Sequence, residues 1–168
     1  MSSRDTPSRP ERVHVLERVL RVPRPVEDVF PFFAEPGNLA RITPPWLGFR
    51  IVTPGRLAMR VGLRVEYRVR PLFVPQRWES VITAWDPPRR FVDEQARGPY
   101  RYWHHLHEFR AGPGGATEIR DRVTYALPFG PLGAVAHPLV RRQLEAIFEH
   151  RRRVVEGMFG RQGVGSGE

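Results

Sequence analysis

The chain has 168 residues, a net charge of +9 and no cysteine, and all 27 of its basic side chains are arginine. Without cysteine it cannot form a disulfide framework, a thiolate zinc site, an iron–sulfur cluster or a cysteine nucleophile. The length suits one domain with its own core, and a hydrophobic fraction of 40% is too high for a disordered chain.

The first part of the domain is predicted to form one strand and two short helices. Residues 13–22 alternate loosely between apolar and polar side chains, which indicates a strand. Pro25, Glu27 and Asp28 then favour a helix N-terminus, because proline fits the first turn and acidic groups complement the helix dipole. A second short helix is predicted over Pro36–Ile42.

Six more strands are predicted between residues 49 and 127, separated by turns that contain proline or glycine. The clearest is residues 62–70, in which apolar side chains at the odd positions from Leu63 to Val69 alternate with charged ones. This period of two indicates one buried and one solvated face. Short turns between consecutive strands favour antiparallel pairing. The other predicted strands are residues 49–53, 75–85, 90–97, 101–110 and 117–127.

The last part of the domain changes to a helical period. Apolar side chains recur three or four residues apart, which predicts one long amphipathic helix that starts its regular part, or kinks, at Pro138 and runs to Phe159. The apolar positions are Leu132, Val135, Leu139, Leu144, Ile147, Phe148, Val155 and Met158. The element order predicts an α+β fold, with two short helices after the first strand and a curved seven-stranded antiparallel sheet around the long helix.

The positive charge does not favour a nucleic-acid partner, because most arginines are scattered singly and residues 151–153 form the only dense run. Residues 1–11 and 160–168 are predicted to be disordered tails around a domain of residues 12–159. No apolar stretch is typical of a secretory leader or a membrane span, so a cytoplasmic location is expected.

One face of the strand at residues 101–110 carries two histidines between two aromatic side chains, which mark it as the inward face. Its members are Trp103, His105, His107 and Phe109. If both neighbouring hairpins keep this parity, Asp93 and Asp121 flank the histidines from opposite sides, within one register step.

The cluster of Asp93, His105, His107 and Asp121 has several interpretations. It is a buried polar ladder whose groups satisfy one another, a polar patch that orients a mostly apolar ligand in a cavity, or acid–base machinery in which a carboxylate orients a proton-transferring histidine. Two histidines at i and i+2 with a carboxylate could also bind zinc, but strands produce that spacing often by chance. No metal site and no cofactor are therefore predicted.

Large aromatic side chains near this face are either plain core or the lining of a cavity. Their number favours a cavity, in which a ligand or water can satisfy the polar tips of tyrosine and tryptophan. They are Trp46, Tyr67, Trp78, Trp103, Tyr125 and Phe148.

Several stretches resemble the START-like, or SRPBCC, superfamily, and the resemblance covers nearly the whole domain. They are FVDEQARGPYRYWHHLHEF at residues 91–109, DRVTYALPFG at 121–130 and IFEHR at 147–151, with residues 38–46 adding to the match. The resemblance is to a subgroup often labelled cyclase/dehydrase, or named after a CDP-paratose 2-epimerase. An epimerase of that kind needs a dinucleotide-binding turn, and no G-x-G-x-x-G follows a strand here.

The resemblance implies a helix-grip fold with a hydrophobic cavity between the sheet and the C-terminal helix. Members of the superfamily bind lipids, sterols, polyketides, quinones and plant hormones, and some are aromatase/cyclases. A ligand-binding protein is therefore favoured over an enzyme, with a small hydrophobic molecule as the partner.

The six aromatics above are expected to supply apolar contacts to that ligand. Gln95, His105 and His107 are expected to orient it, with Asp93 and Asp121 behind them. One alternative is a polyketide cyclase or dehydratase in which His105 or His107 moves protons. Another is a peripheral lipid carrier that docks on anionic headgroups through its arginine surface.

Overall fold

The computed structural model describes residues 13–160, so both predicted tails, apart from Gly160, lie outside the described residues. Seven strands and two α-helices make up the fold. They are β1 (His14–Val22), α1 (Val26–Phe33), β2 (Arg50–Ile51), β3 (Arg64–Val69), β4 (Gln76–Asp86), β5 (Arg90–Arg97), β6 (Tyr102–Ala111), β7 (Thr117–Ala126) and α2 (Pro131–Phe159). The second predicted short helix is a 3-10 helix, Pro36–Ile42, and a further 3-10 turn, Pro71–Phe73, joins β3 to β4.

The strands form one antiparallel sheet in the order β1-β7-β6-β5-β4-β3-β2. Each strand from β2 to β7 pairs with its neighbour in sequence. β1 forms one edge of the sheet and pairs with β7 along its whole length, from His14 opposite Tyr125 to Val22 opposite Thr117. Register shifts in the β4–β5 pairing interrupt the ladder, and such irregularities bend a sheet. The predicted helix-grip arrangement, a curved seven-stranded antiparallel sheet around a long C-terminal helix, is confirmed.

The alternation predicted for β3 is confirmed residue by residue. Val65, Tyr67 and Val69 are buried against α2, whereas Arg64 and Arg68 are exposed on the outer face. Because a strand turns successive side chains to opposite faces, this short sequence alone sets which face of the sheet meets the helix.

The long helix begins seven residues earlier than Pro138, at Pro131, and Pro138 lies inside it. Only the part of α2 from Val140 onward buries large apolar side chains, among them Leu144, Phe148 and Val155. The three apolar residues predicted to open the packed face, Leu132, Val135 and Leu139, are exposed. Helical periodicity indicates that side chains share a face, but it does not say where along the helix that face meets a partner.

The core has two parts on the inner face of the sheet. One is built around Tyr67, Trp78 and Phe148, and the other around Phe30 and Val155, where α1 packs against the far end of α2. No helix within residues 13–160 is long and apolar enough to span a membrane.

Candidate functional site

A cavity of about 190 Å³ lies between the inner face of the sheet, the 3-10 helix Pro36–Ile42 and α2. Most of its wall is apolar, and the polar side chains that reach it are few. Six of the residues predicted to bind a ligand line it: Tyr67, Trp78, Trp103, His105, His107 and Phe148. Most of the predicted ligand-binding residues therefore lie around one cavity.

The other three predicted ligand-binding residues lie outside that lining. Trp46 is 42% exposed on the surface. Gln95 clamps the β5–β6 turn, since its Nε2 donates to the Tyr100 carbonyl at 2.7 Å and its Oε1 accepts from the Tyr100 amide at 3.1 Å. Tyr125 is fully buried in the sheet, and its hydroxyl shares a hydrogen bond of 3.1 Å with His137 of α2.

The polar tips of two aromatic side chains in the cavity wall are hydrogen-bonded within the protein. Ser80 Oγ lies 2.9 Å from the Tyr67 hydroxyl and accepts a hydrogen bond of 3.1 Å from Trp78 Nε1. The Trp78 ring meets Trp103 edge to face at 5.0 Å between centroids. Because Ser80 satisfies both polar groups, the rings present mainly apolar surface to a ligand.

Two imidazoles and two carboxylates form a compact cluster beside the cavity. In the sheet register Asp93 of β5 faces His105 of β6, and Asp121 of β7 faces His107. The hydrogen bonds cross this register: His105 Nε2 donates to Asp121 Oδ1 and His107 Nε2 to Asp93 Oδ2, each at 2.9 Å. The imidazole centroids are 3.7 Å apart. The predicted flanking of the histidines by Asp93 and Asp121 is thus present.

The second nitrogen of each imidazole also faces a carboxylate. His105 Nδ1 lies 3.5 Å from Asp93 Oδ2, and His107 Nδ1 lies 3.0 Å from Asp121 Oδ1. The latter contact is poorly directed, because His107 Nδ1 is buried without a hydrogen bond among the described residues. Each histidine is therefore held between both aspartates and has little freedom to rotate.

Arg151 of α2 completes the cluster, and the sequence reasoning did not assign it a role. Its Nη1 donates to Asp121 Oδ1 at 3.3 Å, and its guanidinium carbon lies 4.9 Å from the Phe148 ring centroid. Arg151 lines the cavity, and its Nε makes no hydrogen bond among the described residues. The helical spacing predicts that Arg151 faces the sheet, because Leu144, Phe148 and Arg151 stand at i, i+4 and i+7 on one face of the helix.

The two histidines of the cluster have pKa values that move in opposite directions. Burial lowers the pKa of His105 to about 4, and the neighbouring His107 adds to the effect. Burial also opposes charge on His107, but its contacts with Asp121 and Asp93 outweigh this and raise the pKa of His107 above its usual value. At neutral pH, His105 is therefore neutral and His107 is the one that carries a proton more readily.

The carboxylates are held in their charged forms. Burial alone would raise the pKa of Asp121, but the Arg151 guanidinium and the two histidines outweigh it and hold this pKa well below its usual range. His107 and His105 lower the pKa of Asp93 in the same way, again against the effect of burial. The two negative charges thus lie beside the Arg151 cation and beside His107, whose pKa is raised.

The ligand atoms of Asp93, His105 and His107 lie within 4.8 Å of one another, so these residues could hold a metal ion by atom type and spacing. The same atoms already bond to one another, and Arg151 lies beside Asp121 as a fixed cation. The donor set therefore fits a self-compensated polar cluster.

Comparison with known proteins agrees with this architecture. Residues 13–156 match the sequence model of a family described as polyketide cyclase/dehydrase and lipid transport. No curated protein matches the chain.

Among solved structures, an aromatase/cyclase named Zhui, from Streptomyces sp. R1128, is similar with a TM-score of 0.72 and 16% identity over 92% of this chain and 99% of that one. A START superfamily protein from Mycobacterium smegmatis has a TM-score of 0.64 and 10% identity over 88% and 97%. Norcoclaurine synthase from Thalictrum flavum, solved with dopamine and hydroxybenzaldehyde, has a TM-score of 0.64 and 14% identity over 90% and 89%. At these identities the structures support the fold alone, whereas the family match covers most of the sequence: the chain belongs to the polyketide cyclase/dehydrase and lipid transport family.

Proposed function

We propose that the protein binds one small hydrophobic molecule in the cavity between the sheet and α2. The observation that carries this proposal is the cavity of about 190 Å³, which is lined mostly by apolar side chains. Protein interiors leave few voids larger than a water molecule, and an apolar cavity of about 150 Å³ is large enough to take up benzene. A ligand built on one or two rings suits the available space.

The wall supports both apolar contact and orientation of such a ligand. The rings of Tyr67, Trp78, Trp103 and Phe148 would supply apolar contact. His105, His107 and Arg151 would orient a polar group of the ligand beside these rings, with Asp93 and Asp121 fixing their positions. A mostly apolar lining with a few convergent polar groups is the common character of small-molecule sites.

Native mass spectrometry of gently purified protein tests this proposal, with Leu144→Trp as a variant that fills the cavity. Leu144 is buried in the lining, so a larger ring there should exclude the bound mass. Leu139→Trp is the matched control, because it makes the same change on an exposed turn of the same helix. A bound mass that survives in Leu144→Trp, provided this variant remains folded, would contradict the proposal, as would native protein that binds no aromatic probe.

A second candidate function is proton transfer to a polyketide-like substrate, as in a cyclase or dehydratase. The opposite pKa shifts of His105 and His107 favour it, because neighbouring groups pushed apart in this way can serve as base and acid. His107 would donate a proton and His105 would accept one, with Asp93 and Asp121 fixing the ring positions. Turnover of a poly-β-ketone by native protein should fall by about 10²–10⁴ in His107→Ala, and the outward neighbour His104→Gln should leave it unchanged. Equal rates in native protein and in both His105→Ala and His107→Ala would remove this candidate.

The subgroup name taken from a CDP-paratose 2-epimerase is not part of the proposal, because the chain has no G-x-G-x-x-G turn after a strand. The cytoplasmic location and the lack of a cofactor remain predictions. Cell fractionation and absorption spectra of the purified protein would test them.

A further inference from the structure

Large apolar side chains are exposed at one end of the molecule, in two separate segments. In the turn between β3 and β4, Phe73 is 84% exposed and Val74 is also exposed. At the start of α2, Leu132, Val135 and Leu139 stand at i, i+3 and i+7, so they form one exposed stripe. With Phe129, these residues are here named the apolar end.

The two segments are brought together by the core beneath them. Leu72, next to Phe73, packs against the buried group that includes Val140 and Leu144 of α2. The turn and the first half of α2 therefore belong to the same end of the fold. Exposed apolar residues scattered singly need no explanation, but a group of this kind marks an interaction surface.

Backbone strain is confined to this same end. Within residues 13–160, the non-glycine residues with positive φ are Leu72, Phe73 and Phe129, at 50°, 65° and 67°. Bulky side chains rarely adopt this conformation, and it persists mostly where function requires it. The positive φ does not serve to bury Phe73 or Phe129, because both side chains are exposed to solvent.

Arginines lie beside the apolar end on the outer face of the sheet. Arg68 of β3 is paired across the strands with Arg50 on one side and with Arg77 on the other, and Arg70 follows just before the exposed turn. The four line one shallow depression together with Pro75 of that turn; they are named the arginine patch. Like charges directly opposite one another destabilise a sheet.

The arginine patch is poor in acidic partners. Among the ion pairs of the described residues, only Arg77 of this patch takes part, with Glu66 at 3.5 Å. Arginines elsewhere, such as Arg89 and Arg152, lie against acidic side chains at 2.8 Å or less. The patch is therefore a concentration of uncompensated charge beside exposed apolar groups.

We propose that this end of the molecule docks on an anionic lipid bilayer. The apolar end would enter the interfacial region, and the arginine patch would bind headgroup phosphates beside it, as amphipathic interfacial segments do. A second copy of the chain fits this surface less well, because a twofold contact buries the surface against itself, and neither the arginine patch nor the apolar end contains an acidic side chain to face the arginines. The surface is distinct from the cavity, but Pro71 of the exposed turn also lines the cavity, so docking would bring the ligand site close to the lipids.

Co-sedimentation with vesicles tests the proposal. Vesicles of equal parts phosphatidylserine and phosphatidylcholine should bind the native protein, and vesicles of phosphatidylcholine alone should bind it much more weakly. Added salt should weaken the binding, because charges near the surface are screened. Arg50→Gln/Arg68→Gln should lower the partition coefficient about fivefold for each arginine removed. Phe73→Asn/Val135→Gln should also lower it, and asparagine tolerates the positive φ at that turn.

Matched controls separate docking from net charge and from general stickiness. Arg89→Gln/Arg152→Gln removes the same charge from arginines that are ion-paired elsewhere, and Val61→Gln removes an exposed apolar side chain near the start of β3, far from the turn. These controls should bind like the native protein. Equal losses in controls and patch variants would overturn the proposal, as would equal binding to both vesicle types. A dimer in analytical ultracentrifugation that Phe73→Asn/Val135→Gln dissociates, without vesicle binding by the native protein, would assign the surface to self-association instead.

Discussion

Replacing Arg151 by methionine should destabilise the fold through Asp121. Arg151 Nη1 lies 3.3 Å from Asp121 Oδ1, and the two side chains are only 10% and 9% exposed. Methionine keeps the apolar stem of arginine and removes its charge. The carboxylate of Asp121 would then remain buried without the cation that holds its pKa down.

The size of the effect follows from the burial of the pair. Coulomb attraction between unit charges 3.3 Å apart is about 5 kcal/mol at an effective dielectric constant of about 20. Removing one partner of a buried pair commonly costs about 3–5 kcal/mol. His105 donates to the same carboxylate oxygen at 2.9 Å and keeps part of the compensation, so we expect a loss of about 3 kcal/mol in the free energy of unfolding.

Urea unfolding at neutral pH, followed by far-ultraviolet circular dichroism, measures this loss. With an m-value of about 2 kcal/mol/M, the midpoint should fall by about 1.5 M. The control is Arg152→Met at the next position, where the side chain is exposed and paired only with surface glutamates, so its midpoint should change little. The double variant Arg151→Met/Asp121→Asn should recover a large part of the loss, because it removes both charges.

Two results would refute this reasoning. One is a midpoint for Arg151→Met equal to that of Arg152→Met. The other is a double variant less stable than Arg151→Met, which would mean that the packing of Arg151, and not its charge, stabilises the fold.

Three further predictions concern stability. His105 has a pKa of about 4 in the folded protein, below its unfolded value of about 6.5. Its contribution to the free energy of unfolding is therefore present above about pH 6.5, and about 3 kcal/mol of it is lost as the pH falls to 4. In urea unfolding, His105→Gln should lose less stability than native protein between these pH values. Ser80→Ala leaves the Tyr67 hydroxyl and Trp78 Nε1 without their partner and should cost about 1–3 kcal/mol by the same measurement. Phe30→Ala empties a buried aromatic site and should cost about 3–5 kcal/mol, seen as a lower thermal midpoint.

Exposed residues provide the controls for Ser80→Ala and Phe30→Ala. Thr83→Ala on the outer face of β4 should change stability little, and Phe129→Ala should leave the thermal midpoint nearly unchanged. A pH profile of His105→Gln identical to that of native protein would show that burial does not keep His105 neutral. Losses in Ser80→Ala or Phe30→Ala no larger than in their controls would show that these contacts contribute little.

The inward cluster could be predicted from sequence because strand geometry is strict. Trp103 and Phe109 mark the inward face of β6, and the period of two then assigns His105 and His107 to it. Parity across two hairpins adds Asp93 and Asp121. The crossed hydrogen bonds could not be predicted in the same way, because they depend on the rotamers of four packed side chains.

Contacts between distant elements were harder to predict. Trp46 was assigned to the ligand because of its residue type, yet it lies on the surface; residue type alone does not tell where a loop turns its side chains. Arg151 was noted only as part of the dense arginine run at residues 151–153, and only the docking of α2 on the sheet brings it to Asp121. Leu132 and Val135 were expected in the core, although the helix buries large apolar residues only from Val140 onward.

The pairing of β1 with β7 has a consequence for synthesis of the chain. β1 leaves the ribosome first, but its only partner strand is β7, almost a hundred residues later. Until β7 has emerged, both edges of β1 are unpaired and its apolar face is uncovered, which are the features that promote aggregation of nascent chains. The pairing of β1 with β7 is therefore a late and long-range step, and contacts of this kind slow folding. A nascent chain that stops before β7 should be the form most dependent on chaperones.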